Sequence, residues 1–399
     1  MGALLETDQA SRVGSPLRLP PLALYIHIPW CVRKCPYCDF NSHALRGDLD
    51  EVAYVEALLR DLEQDLPLTA GRPLRSIFIG GGTPSLLSPA AVQRLLDGVK
   101  TRLERIEGIE GIEITLEANP GALEADNYAG YREAGVNRLS IGVQSFDADL
   151  LRALGRIHGP EQALQAVERA RRAGFERLNL DLMFGLPGQT LYQAGQDLGT
   201  ALQLAPGHLS YYQLTLEPNT AFHHAPPQLP TDERIWDIQQ QGLGQLRKAG
   251  YRQYEVSAHA RPGQVCRHNL NYWSFGDYLG IGAGAHAKLS DAQSGVRRLW
   301  KWRRPETYLA RVAAGHNRQG ARRVRGRELA LEFMMNLLRL RQGFTLELFS
   351  HRTGLAPTSL EPGLTQALGL GLLRRNESRI EATENGRCFL NDLLQCFID

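Results

Sequence analysis

The sequence predicts an α/β protein, a partial parallel barrel of six β/α units followed by a small winged-helix-like α+β unit. Three observations lead to it. Short apolar runs alternate with helix-like segments at the intervals of parallel β/α units from residue 22 to residue 216. Most of those runs end in a polar or glycine-rich signature, where β/α folds gather their chemistry. After Pro230 the pattern changes, and the chain closes on helical segments and an alternating hairpin signal.

A polar, flexible arm is expected over residues 1–20, and the first strand over 22–27. Further strands are expected at 76–80, 113–118, 138–143, 177–183 and 209–216. Between them, residues 51–66, 90–103, 161–173 and 192–204 carry Leu, Val and Ala at intervals of three and four, the spacing of a buried helix face. Right-handed crossovers would coil these units into a barrel spanning 21–230. An extension over 231–320 has a helix at 233–249, short strands such as 253–257, and the motif HNLNYW. The Arg-rich stretch at 320–326 reads as a boundary to a C-terminal domain, 321–399. There, helices at 328–340 and around 360–370, the segment 346–353 and the alternating LLRRNESRIEATENG suggest a winged-helix-like module. Its mixed charge argues for packing against the barrel and covering the site, not for DNA binding. Cys388 and Cys396, eight apart on an apparent terminal helix, read as one apolar core face.

Lys and Arg (45) nearly balance Asp and Glu (43), so a net charge of +2 offers no nucleic-acid footprint. No apolar run is long enough to span a bilayer and no signal peptide is legible, so a cytoplasmic location is expected. Six cysteines in 399 residues fit a reducing compartment. The oligomeric state stays open.

The chemistry is concentrated at the expected strand ends. After the first strand, YIHIPWCVRKCPYCDF presents Cys31, Cys35 and Cys38 from one loop, in C-x3-C-x2-C spacing. Three thiolates complete neither a disulfide framework nor a closed zinc site, but they suit a 4Fe-4S cluster with one iron left open. Unrelated thiols or part of a zinc knuckle are the competing reading. The second strand runs into Gly80, Gly81, Gly82, Thr83 and Pro84, a turn that lets backbone approach a ligand. The third ends in LEANPG, placing Glu117 where a carboxylate can accept both ribose hydroxyls. The fourth ends in GVQSF with Gln144, followed by Arg156 in LGRIH, and the fifth carries Asp181 ahead of a Gly-Leu-Pro turn. Singly, each is more often a turn or cap group than a ligand; their recurrence is the signal.

The cysteine spacing resembles the radical S-adenosylmethionine superfamily. That resemblance implies that the open iron chelates the amino and carboxylate groups of S-adenosyl-L-methionine and that a cluster electron breaks a carbon–sulfur bond of the sulfonium. Through YIHIPWC, FIGGGTPSLL, LEANPG, RLSIGVQSF, LGRIHG, NLDLMFGLPGQ and HNLNYW, the chain from Leu22 onward resembles the family of oxygen-independent coproporphyrinogen III dehydrogenases and haem chaperones. The resemblance implies that Tyr25, Gly81 and Glu117 contact the cluster-bound S-adenosylmethionine. It matches Tyr37, Gly82, Thr83, Gln144, Arg156 and Asp181 to positions that hold a second S-adenosylmethionine in the dehydrogenase.

Two departures separate the branches. The dehydrogenase pattern has a further cysteine two residues after the third, where this chain has Phe40, and its N-terminal arm is longer. CDFNSH and HNLNYW resemble the chaperone branch instead. This implies a haem-binding protein that delivers haem to acceptor haemoproteins, in the cytoplasm or at the inner face of the membrane. His268 is then the candidate axial ligand, with Tyr272 and Trp273 flanking the macrocycle; Cys266 and His286 are weaker candidates. A histidine beside aromatic residues is also a common packed core group. The alternative is the enzyme of porphyrin biosynthesis, oxidatively decarboxylating the propionates of coproporphyrinogen III.

Overall fold

The structure is a computed structural model and describes residues 17–103, 111–121 and 125–398. Its main body is a curved twelve-stranded sheet. In chain order the strands are β1 (Leu22–Ile28), β2 (Leu74–Gly81), β3 (Glu113–Ala118), β4 (Arg138–Gln144), β5 (Leu178–Phe184), β6 (His208–Gln213), β7 (Arg252–Gln253), β8 (Ala258–Ala260), β9 (Asp277–Ile281), β10 (His286–Asp291), β11 (Gly295–Trp300) and β12 (Gly320–Val324). Their spatial order is β12-β11-β10-β9-β1-β2-β3-β4-β5-β6-β8-β7. From β9 through β6 every neighbouring pair is parallel, and antiparallel strands extend both ends.

Period-two alternation explains how the strands face. Leu22, Leu24, Ile26 and Ile28 of β1, Leu139, Ile141 and Val143 of β4, and Leu178, Leu180 and Leu182 of β5 lie in one core with the surrounding helices. Those helices include α1 (Glu51–Asp65), α2 (Pro89–Leu103), α3 (Pro160–Arg172), α4 (Leu191–Gln203) and α5 (Asp232–Lys248). The intervening residues face the lumen and are strongly polar: Tyr25 and His27, Glu113, Thr115 and Glu117, Arg138 and Ser140, Asn179 and Asp181. The outer face therefore carries the hydrophobic stabilisation, while the inner face is left for chemistry. Helix starts are well capped; Asp50 accepts from the Ala53 amide, and Thr190 and Gln193 form a capping box at α4.

Two buried ion networks fix the later strands to this frame. Lys301 lies 2.5 Å from Asp61 and 2.6 Å from Asp65 on α1, joined by Asn317, Arg318 and Tyr308. Asp277, at the start of β9, holds Lys288 at 2.8 Å and Arg72 at 2.7 Å. The C-terminal unit begins with α7 (Gly326–Leu337) and contains a three-stranded sheet of Phe344–Thr345, Leu373–Asn376 and Arg379–Ala382. Its core takes in Phe275, Val296 and Val324, and Leu270 and Trp273 pack against it. It reaches both ends of the large sheet, through Glu332 to Arg298 on β11 at 2.7 Å and through Arg341 to Gln253 on β7 at 2.6 Å.

Several expectations are corrected. The parallel set has a seventh strand, β9, because the DYLGI stretch is an apolar strand beside β1, and only the glycines after it form the turn. The Arg-rich stretch is the edge strand β12, where Arg322 and Arg323 stay exposed and only Val324 enters the core. The short strand expected over 253–257 is instead the pair β7 and β8. The C-terminal unit packs against the barrel as expected, docking on HNLNYW and the sheet ends. Cys388 and Cys396 share no helix or face: the chain breaks at Phe389, Cys388 is exposed and Cys396 is buried. Of the expected arm, residues 1–16 lie outside the described residues, while Leu17 packs on the C-terminal core and the Arg18 amide donates to the His351 carbonyl. Among the described residues no helix is long and apolar enough to cross a membrane.

Candidate functional site

The cysteine loop sits at the C-terminal end of β1. Trp30–Cys31 pairs with His43–Ala44, so the loop closes on itself, and Lys34 donates to the carbonyls of Phe40 and Ser42. Cys31, Cys35 and Cys38 are free thiols, each partly exposed. Arg156 donates to the Cys35 sulfur at 3.6 Å, and Ser42 Oγ lies 3.8 Å from that of Cys38. Among the described residues no three His, Cys, Asp or Glu groups converge as a single metal ion requires. Cluster ligands each hold a different iron and stand further apart, so three thiols opening from one loop fit a cluster. Phe40 is 61% exposed and adds no fourth thiol.

Behind the loop, the first two strands assemble one polar chain. Burial lowers His27 to about 4, so its ring is neutral; Nε2 donates to the Asn41 carbonyl and Nδ1 accepts from the Tyr25 hydroxyl. Asn41 in turn donates to the carbonyls of Ala283 and Arg303, at 2.9 Å each. A Cβ on Gly284, at φ +81°, would stand 2.2 Å from that amide nitrogen. Gly81, at φ +124°, gives its amide to Glu117 Oε2 at 3.1 Å, and a Cβ there would strike the His27 ring at 2.8 Å. Gly82 leaves no more room, since its Cβ would meet the Trp30 carbonyl at 2.5 Å. Burial, with Asp181 nearby, pushes Glu117 up to about 8, so its carboxyl keeps its proton at neutral pH.

A second chain crosses the mouth. Asn119 donates to Thr83 Oγ1 at 3.0 Å and accepts from Arg156 at 2.7 Å; the same Arg156 nitrogen donates to the Gly142 carbonyl at 2.8 Å. Gln144 sits at φ +68°, an uncommon conformation for a side-chain-bearing residue, and its Oε1 accepts from Tyr212. Asp181 accepts from Ser140 and Asn179, and burial raises its pKa. The Tyr37 ring lies tilted against Phe222, centroids 6.4 Å apart, and the Phe222 amide donates to the Pro36 carbonyl. Tyr25, Tyr37, Gly81, Gly82, Thr83, Glu117, Gln144, Arg156 and Asp181 thus gather around the cysteine loop and the lumen beneath it.

The HNLNYW residues are elsewhere. They form the helix α6 (Arg267–Trp273), held at the opposite, N-terminal ends of the strands. Glu113, the first residue of β3, accepts from the amides of Arg267 and His268, from the Cys266 thiol at 3.5 Å and from Arg177 at 2.8 Å. His268 is 7% exposed, with Nδ1 3.0 Å from Ser76 Oγ and its ring 5.0 Å from that of Phe78. Burial lowers His268 to about 4 and pushes the Cys266 thiol up to about 12. Tyr272 and Trp273 do not flank an open face: Tyr272 packs on Tyr278, and Arg339 stacks over Trp273 at 4.2 Å. His286 opens β10 and is exposed; β10 runs antiparallel to β9, which sets His286 beside Gly280, toward the opposite end of the strands from α6.

Sequence reasoning missed His27, Asn41, Asn119 and Tyr212, which orient the candidate ligands. Asn41 and Asn119 lie inside quoted motifs, so a turn amide flanked by chemistry-bearing residues was the available signal. Tyr212 faces the lumen only by strand parity.

Residues 25–196 match the Radical SAM superfamily and residues 324–389 the HemN C-terminal domain. The chain is similar to heme chaperone HemW of Escherichia coli K12, 50% identical over 96% of this chain and 99% of that protein. It is similar to heme chaperone HemW of Haemophilus influenzae, 47% identical over the same shares. The Bacillus subtilis heme chaperone HemW is 36% identical over 94% of this chain and 98% of its own length. Among solved structures, coproporphyrinogen III oxidase (HemN) from Escherichia coli aligns with TM-score 0.80 and 25% identity, covering 95% of this chain and 90% of that one.

Proposed function

Because the chain belongs to the heme chaperone HemW family within the radical S-adenosylmethionine superfamily, we propose that it binds haem and transfers it to acceptor haemoproteins. The observation that carries this reading is the near-full-length likeness to the chaperones, joined to Phe40 where the dehydrogenase pattern has a cysteine. The transfer takes place in the cytoplasm or at the inner face of the membrane, to acceptors such as respiratory cytochromes.

Cys31, Cys35 and Cys38 hold the 4Fe-4S cluster in this reading, and the cluster supplies one-electron chemistry to S-adenosylmethionine when both are bound. Tyr25, Gly81 and Glu117 position the cofactor at the open iron; a protonated Glu117 can donate one hydrogen bond as well as accept others. Arg156, Thr83 and Asn119 hold the rim of the second group, Tyr37, Gly82, Gln144 and Asp181, in place. The cluster and S-adenosylmethionine govern haem binding or release instead of turnover.

His268 is the proposed iron ligand, acting through Nε2. Its ring is neutral, the form that binds metal, and the Ser76 contact at Nδ1 is the kind of anchor that leaves the other nitrogen for iron. Cys266 is dropped, since its buried thiol is committed to Glu113 and resists ionisation. Haem reaches His268 only by displacing what covers α6.

The test is anaerobic. Cluster-reconstituted protein is titrated with haem and then mixed with an apo-haemoprotein, with porphyrin products followed by mass spectrometry when coproporphyrinogen III, S-adenosylmethionine and reductant are supplied. The chaperone reading expects a Soret band, its transfer to the acceptor and no decarboxylation. Loss of carbon dioxide from the propionates defeats it. Replacing any of the three loop cysteines by Ala abolishes cluster absorbance and lowers iron and sulfide content. His268→Ala changes the Soret band, whereas Cys266→Ser leaves it unmoved.

A further inference from the structure

Arg138 opens β4 on the lumen face and is 2% exposed, yet its guanidinium makes no hydrogen bond or ion pair with any described residue. Its register neighbour on β3 is Thr115, which points into the same lumen, is fully buried and has a hydroxyl without a partner. A buried hydroxyl without a partner is rare in a packed interior, because buried polar groups are almost always satisfied, and the guanidinium beside it has no direct partner either.

The surrounding charges sharpen the point. Glu113 is the carboxylate that acts most strongly on Arg138, but its oxygens are taken by Arg177, two backbone amides and the Cys266 thiol. Burial raises the pKa of both Glu117, to about 8, and Asp181. The Arg138 charge is sustained at longer range by Glu113, without a direct ion pair, and it lies within electrostatic reach of His268.

We propose that Arg138 and Thr115 form a carboxylate seat in the lumen that receives a propionate of the bound macrocycle. The proposal rests on the haem-binding reading above and adds to it a polar anchor beside the His268 iron ligand. A guanidinium and a hydroxyl together suit a carboxylate, which accepts several hydrogen bonds at once. The other carboxylate in this system, that of S-adenosylmethionine, belongs at the cluster, at the far end of the strands.

The experiment uses the full, cluster-reconstituted chain. Haem and haem dimethyl ester, whose propionates carry no charge, are titrated into the wild type, Arg138→Gln and Thr115→Val. Loss of a charge-assisted hydrogen bond predicts that the wild type prefers haem by about tenfold or more. That preference should vanish in Arg138→Gln and shrink by roughly threefold in Thr115→Val, with ester affinity unchanged. Equal preference in all three proteins overturns the seat, as does the absence of preference in the wild type. Should Arg138→Gln fail to fold, Thr115→Val decides, since it removes only an unpartnered hydroxyl. A wild type that binds neither porphyrin defeats the haem reading itself, a different result. In a parallel titration, weakened S-adenosylmethionine binding with unchanged binding of its decarboxylated analogue would assign the seat to that carboxylate and overturn the propionate.

Discussion

At the scale of single residues, Asn119 ties the mouth together, since it connects Thr83 to Arg156 and, through Arg156, to Cys35. Asn119→Ala leaves two polar partners unpaired, and a loss of about 1–3 kcal/mol in stability is expected. S-adenosylmethionine affinity should fall by about tenfold, read by calorimetry on reconstituted protein. Unchanged affinity would show that Arg156 holds its place without the amide. Such roles are the part of the site that the sequence concealed. Motif reading found groups with obvious chemistry, including Glu117, Arg156 and Asp181, because acids and bases at strand ends are conspicuous. It passed over Asn41 and Asn119, whose only distinction is where the fold sends their amides. His268 shows the opposite difficulty: its neighbours in HNLNYW are close in sequence, but tertiary packing engages Tyr272 with Tyr278 and Trp273 with Arg339.

At the scale of elements, the junction between β4 and α4 carries a titrating group. Asp197 on α4 accepts from Ser145 Oγ at 2.7 Å and the Phe146 amide at 2.6 Å, and burial raises it from 3.8 to about 6. The folded chain keeps this proton where the unfolded chain has lost it. Stability from this group is therefore greatest below pH 4, declines as pH rises toward 6 and is flat above, with a span of at most about 3 kcal/mol. The urea midpoint of the wild type relative to Asp197→Asn should fall over that interval; a constant difference would remove Asp197 as the cause. The strands and helices themselves were largely legible, with β3 matching residue for residue, since apolar alternation and helical spacing are local signals. β9 and β12 were not. One is glycine-rich and the other arginine-rich, and their pairing is decided by distant partners, β1 and β11.

At the scale of the whole molecule, the two buried ion networks hold late strands to the early frame. Lys301→Met would leave Asp61 without a cation, with Arg318 still on Asp65, and removing one member of a buried pair costs about 3–5 kcal/mol. The denaturation midpoint should drop accordingly at neutral pH, and Asp61→Asn in the same chain should restore part of it. No change in midpoint would mean that water reaches the pair. The C-terminal unit meets both ends of the curved sheet, at Arg298 and at Gln253, and it does so from the last part of the chain. β1 also waits for β9 to cover its open edge. During synthesis, then, a nascent barrel leaves the ribosome as an unclasped ribbon with a bare edge, and the stretch translated last is the buckle that ends its exposure to chaperones and proteases.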